Sequence, residues 1–243
     1  MKLWRKTILI DPGHGLYWNE KIGTFTFQRD YRNDVLEDIL NIETARMVIH
    51  KLRKIGYKVL CTRNIDENAE MGESGHSKWE EGAYLHFVDT GDIPKLFRTV
   101  SAQGSVGGIS DNYYIRDLRA RYMYADIVNK KTPINLLLSI HYNAGGGNGT
   151  EVWYYKYNKN GEKIATKLAE QTAKLCNLRN RGAKGETKAY AMIKEPDMMS
   201  LIWEVAFFSS KTDVVKIQSS NFHNDAAMAA VNTIIWAEEN KLI

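Results

Sequence analysis

Three polar residues interrupt the apolar runs of this 243-residue chain where chemistry could be done. His14 follows "ILIDPG", His141 follows "NLLLSI" and precedes "YNAGGGNG", and Glu204 stands inside "SLIWEVAFF". One histidine after a strand is explained by a hydrogen bond to a loop carbonyl. Two of them, each beside a glycine-bearing turn at the end of an apolar run, point to one shared site. Burying a carboxylate costs several kcal/mol unless it is paired or ligated, so Glu204 needs a partner or a task.

A fourth residue comes from "NDVLEDILNIETARMVIHKLRKIGYKV". At helical spacing Glu37 lies at the edge of the apolar stripe of Ala45, Val48, Leu52 and Ile55, whereas Glu43 projects to the opposite face. Asp34-x-x-Glu37 is also a capping-box pattern, which by itself accounts for a glutamate in a first turn. Two imidazoles and a carboxylate compose a common catalytic zinc set that leaves a fourth position for water. That donor set suits zinc better than calcium or magnesium, which prefer oxygen alone.

The elements that must position these residues are legible as an alternation. Apolar runs at 7–11, 58–62, 135–140, 149–155, 189–193 and 201–205 read as strands, and periodic stretches at 35–55, 115–129, 162–176 and 222–240 as helices. Leu136, Leu137 and Leu138 run without alternation, as in a strand covered on both faces. The expected fold is α/β, a three-layer sandwich with a mostly parallel twisted sheet and helices on both faces. In such sheets sites form beyond the carboxyl ends of the strands, where His14 and His141 fall. Residues 64–114 break the rhythm with Gly, Ser, Asp, His and aromatics. We read them as an irregular insertion beside the sheet within a single domain spanning 1–243.

Bulk properties narrow the partners. A net charge of +4 is far from the dense basic patch of a nucleic-acid binder. Two cysteines are too few for a disulfide framework or a thiolate metal cage. No apolar stretch approaches the roughly 18 residues of a membrane span. The short run Ile8 to Ile10 is no secretory signal, so the sequence suggests cytoplasmic synthesis with later release, or a trimmed secreted fragment. A monomer is expected. His50, His76, His86 and His223 carry no pattern that requires a site. Trp79, Tyr84, Phe87, Tyr113 and Tyr114 could line a sugar groove or pack the insertion.

These motifs, in this order, resemble the catalytic domain of zinc-dependent N-acetylmuramoyl-L-alanine amidases of the autolysin type, which cleave peptidoglycan. "ILIDPGHG" is similar to the opening strand and first zinc histidine, and "LEDILNIETARMVIHKLRKIGYKVLCTR" to a glutamate-led helix and second strand. "DLRARYMYAD" resembles the helix before the third strand, with Leu118 and Arg121 in the expected places. "LLLSIHYNAGGGNGTEVWYY" resembles the second zinc-histidine motif, and "LIWEVAFFSS" the final acidic strand. The resemblance implies zinc on His14, Glu37 and His141, Glu204 as the catalytic acid–base, peptidoglycan as substrate, and action on the bacterial wall outside the membrane.

Departures from the pattern are Leu16 and Tyr17 in place of a second glycine after "HG", Ala206 after the final glutamate, and the long 64–114 connection. Asp11 reads either as an acceptor for a metal-bound histidine or as an Asx contact in the turn. A zinc peptidase or carboxypeptidase on a related fold, or a catalytically silent peptidoglycan-binding domain, are the competing readings.

Overall fold

The computed structural model describes residues 5–92, 113–188 and 190–243. Six strands form one mixed sheet in the order β4-β1-β5-β8-β6-β7. They are β1 (Thr7–Pro12), β4 (Lys58–Cys61), β5 (Leu136–Asn143), β6 (Thr150–Tyr155), β7 (Asn180–Glu186) and β8 (Ser200–Phe207). All neighbours run parallel except β6 against β8. A separate hairpin pairs β2 (Leu16–Asn19) with β3 (Thr24–Phe27).

Strand alternation divides the core into two layers. Ile8, Ile10, Leu136, Leu138, Ile140, Leu201 and Trp203 face α1 (Glu37–Lys54), α4 (Lys159–Leu175) and α7 (Phe222–Glu239). Leu9, Leu137 and Ile202 face the other way, towards α3 (Tyr113–Lys131) and α5 (Ala191–Lys194). A short helix α2 (Ala83–Asp89) leans on α3 through Ala83, Phe87 and Ala120, with Phe87 stacked on Tyr124 at 4.4 Å. Helix α6 (Lys211–Ile217) follows β8. The three-layer α/β expectation holds.

Helix α1 forms because Ala45, Val48, Ile49 and Leu52 repeat at helical spacing on one buried face. Its first turn is acidic and its last turn basic, matching the helix dipole, and Gly56 at φ 94° ends it.

Three local expectations change. Residues 189–193 were expected as a strand, but Ala191–Lys194 is one helical turn whose Met192 and Ile193 plug the second core layer; Ala189 lies outside the described residues. A short apolar run fits either element, and packing decides. The edge strand β7 has the sequence "NRGAKGE", too glycine-rich and charged for any strand pattern. Within the irregular 64–114 stretch α2 is regular, whereas 93–112 lie outside the described residues. Among the described residues, no helix is long and apolar enough to cross a membrane.

Candidate metal centre

Alternation also sets the polar residues. On the face carrying Leu9, Leu137 and Ile202, the next residues along each strand are Asp11, then Ser139 and His141, then Glu204. Register pairs Asp11 with Ser139 and His141 with Glu204. The chain then leaves β1 through a left-handed turn, with His14 at φ 59° and Gly15 at φ 115°. A non-glycine residue there is strained and persists only where its surroundings hold it.

Two buried arginines do the holding. Arg121 donates to the carbonyls of Pro12 and His14 and to Asp11 Oδ1, while Arg63 and Asn41 Nδ2 donate to the Gly13 carbonyl. Three consecutive turn carbonyls are thereby satisfied. Burial disfavours the Arg121 charge, yet Asp117 and Asp11 outweigh it and hold its pKa above the ordinary value.

This turn carries His14 to Glu37 and His141. His14 Nε2 lies 3.0 Å from Glu37 Oε1, which lies 3.1 Å from His141 Nδ1, and the two ring nitrogens are 3.2 Å apart. Among the described residues this is the histidine, cysteine and carboxylate group that could hold a metal ion. The triangle fits zinc: tetrahedral bonds of about 2.0–2.1 Å place ligand atoms ~3.3 Å apart. Burial opposes charge on Glu37, but His14 and His141 overcome it and hold the carboxyl well below the usual range. The same contact lifts His141 above its ordinary value against burial.

Glu37 is no capping-box partner. The N-cap of α1 is Leu36, without a side-chain cap, and Asp34 sits at φ 61° outside the helix.

Gly13 is required for a reason other than turning. A Cβ there would lie 2.2 Å from His141 Cε1, so the imidazole packs directly on the glycine backbone.

Glu204 lines the same cleft, a cavity of about 460 Å³ that also borders Arg29, Tyr114, Asn143 and Tyr190. Its Oε2 is shut off from solvent and has no hydrogen-bond partner among the described residues. On the neighbouring strand its register partner is Glu151, which accepts from Asn143 Nδ2 at 2.9 Å and Arg181 Nε at 2.7 Å. Burial pushes Glu204 up to about 8, with Glu37 and Glu151 adding to the rise and His141 opposing it.

All four residues singled out in the sequence therefore border one cleft, three of them in mutual contact. Asp11 takes neither expected role. It accepts from Arg121, Ser139 and Thr62, and the acceptor facing His14 Nδ1 is Gln28 Oε1 at 3.2 Å. Sequence reasoning missed Gln28 and Arg29, which sit in a connecting segment without periodicity; the signal was the short "TFTF" alternation before them. Of the insertion's aromatics, Tyr114 borders the cleft, Trp79 lies beneath Arg46 at 4.4 Å and Phe87 is core; the side chain of Tyr113 lies outside the described residues.

Comparison with known proteins bears on the fold and the family. The chain is 25% identical over 229 residues to the N-acetylmuramoyl-L-alanine amidase LytC of Bacillus subtilis (strain 168), covering 92% of this chain and 34% of LytC, about a third of that relative's length. It is 35% identical over 103 residues to the amidase CwlM of Bacillus licheniformis, covering 41% of this chain and 39% of CwlM. The crystal structure of an N-acetylmuramoyl-L-alanine amidase from Clostridium difficile 630 shares the fold with a TM-score of 0.65 at 18% identity, over 97% of this chain and 98% of that one. The family model described as N-acetylmuramoyl-L-alanine amidase matches residues 8–235, and the chain belongs to that family.

Proposed function

We propose that this chain is a single catalytic domain that hydrolyses the amide between the lactyl group of N-acetylmuramic acid and the L-alanine of the stem peptide. It acts on the bacterial wall outside the membrane, with zinc held by His14 Nε2, Glu37 Oε1 and His141 Nδ1. The observation that carries this reading is the unpartnered Oε2 of Glu204 beside a three-donor triangle of zinc dimensions. The family and the names of its relatives support the substrate.

When bound, zinc supplies Lewis acidity that polarises a carbonyl and lowers the pKa of water. Glu204 Oε2, with no donor to satisfy it among the described residues, accepts the proton of the attacking water. That proton then passes from Glu204 to the alanine nitrogen as the amide bond breaks. Gly13 and the arginine-held turn keep the two imidazoles in place throughout.

The test is Glu204→Gln with His141→Ala beside it. Glu204→Gln should bind zinc and fold as wild type while losing about 10²–10⁴ in rate. His141→Ala should lose zinc. Mass spectrometry of digested sacculi should find new alanine amino termini and N-acetylmuramic acid with a free lactyl carboxylate; new termini within the stem peptide would make the enzyme a peptidase instead.

A further inference from the structure

The hairpin β2–β3 separates His14 from Glu37 in sequence and is pinned to the insertion, Leu16 N donating to the Glu80 carbonyl and Gly82 N to that of Leu16. What leaves it is the dipeptide Gln28–Arg29, and each member grips the outer side of one metal-facing residue. Gln28 N donates to Asp38 Oδ1 at 2.9 Å, the oxygen that also holds Gly15 N at 2.8 Å. Gln28 Nε2 donates to Asp117 Oδ2 at 2.9 Å, and Arg121 Nε and Nη2 grip that same oxygen.

With its amide nitrogen committed to a carboxylate, Gln28 can present only Oε1 to His14 Nδ1, at 3.2 Å. The ring must then carry its proton on Nδ1, which leaves the Nε2 lone pair aimed at Glu37 and His141. The next residue does the same for the carboxylate. Arg29 Nε lies 3.3 Å from Glu37 Oε2, while Oε1 faces both imidazoles. Glu37 is thereby divided, one oxygen for the metal position and one for the guanidinium.

We propose that Gln28 and Arg29 are the positioning pair of the metal centre. Gln28 fixes the tautomer of His14, Arg29 restrains Glu37 to one-oxygen ligation, and the hairpin exists to deliver both. This rests on the zinc reading above. Hydrogen-bond partners behind metal ligands contribute about 10–100-fold to metal affinity, which is the effect expected here for each residue.

The experiment measures zinc affinity by chelator competition, and the thermal midpoint of the zinc-free form, for wild type, Gln28→Leu and Arg29→Leu. Imidazole 15N NMR of zinc-free protein reads the tautomer directly. Wild type should bind one zinc per chain and show His14 protonated on Nδ1. Each variant should lose about 10–100-fold in affinity while the zinc-free midpoint stays, and Gln28→Leu should release His14 to a tautomer mixture. Variants with wild-type affinity, or wild-type His14 protonated on Nε2, would overturn the proposal. A raised KM with unchanged zinc affinity in Arg29→Leu would make Arg29 a substrate contact instead. Wild type that takes up no zinc would instead remove the metal reading itself.

Discussion

Replacing Gly13 by alanine tests whether His141 is placed by shape. The added Cβ would sit 2.2 Å from Cε1, 2.5 Å from Nε2 and 2.6 Å from Nδ1 of the His141 ring, where ordinary contact begins at 3.4 Å. The backbone cannot yield, since Pro12 is in register with Ile140 and Gly13 N donates to the Ile140 carbonyl at 2.9 Å. The ring must therefore withdraw by roughly 1 Å, against a tolerance of about 0.2 Å in metal–ligand distances. A 1 Å misplacement costs on the order of 10²-fold in rate, or about 2.7 kcal/mol. Zinc affinity by chelator competition and kcat/KM on muropeptides should both fall at least that far. Gly146→Ala is the control, since a Cβ there meets nothing within 4 Å. Gly13→Ala with zinc affinity and kcat/KM within about threefold of wild type would refute the packing account.

Arg121→Ala removes the partner of the buried Asp11 and Asp117 and should cost about 3–5 kcal/mol in urea denaturation of zinc-free protein; under about 1 kcal/mol would contradict its role. Burial pushes Glu204 up to about 8 in native zinc-free protein, whereas the unfolded chain releases that proton at about 4.3. The native state binds more protons in that window, so stability falls as pH rises through it. Glu204→Gln should therefore lose less stability than wild type between about pH 5 and 9 by thermal melting; parallel curves would rule out a raised Glu204. Zinc at about 100 times its dissociation constant should stabilise the wild type by about 2.7 kcal/mol, and His141→Ala much less.

What the sequence discloses here is what local pattern encodes. The strands β1, β5 and β8 are buried on both faces and read as mostly apolar runs, so His141 and Glu204 stand out within theirs and His14 just beyond its own. For Glu37 the helical face pointed correctly, but the capping alternative fell only when Leu36 proved to be the cap residue. Residues whose role depends on distant chain gave no sign. Asp11 meets Arg121 from 110 positions away, and Gln28 acquires meaning only from the approach of Asp117. Strand β7 stayed hidden because an edge strand needs no apolar pattern, and 189–193 misled because Met192 and Ile193 are buried as thoroughly in a helical turn.

The framework under the triangle is a closed set of hydrogen bonds among protein groups. Asp11 accepts from Thr62 just past β4, from Ser139 on β5 and from Arg121 on α3, so one carboxylate on β1 ties three adjacent strands to a helix. Arg63 donates to Gly13 and to Trp79, Glu80 and Glu81, tying the His14 turn to the insertion. His14, Glu37 and His141 are thus gathered by bonds made among protein groups, unlike the ligands of a zinc finger, whose fold is formed by the metal. Zinc-free protein should accordingly keep its near-UV circular dichroism and unfold in one cooperative step. A molten zinc-free form would mean that the metal, and not the arginine-held turn, brings His14 to His141.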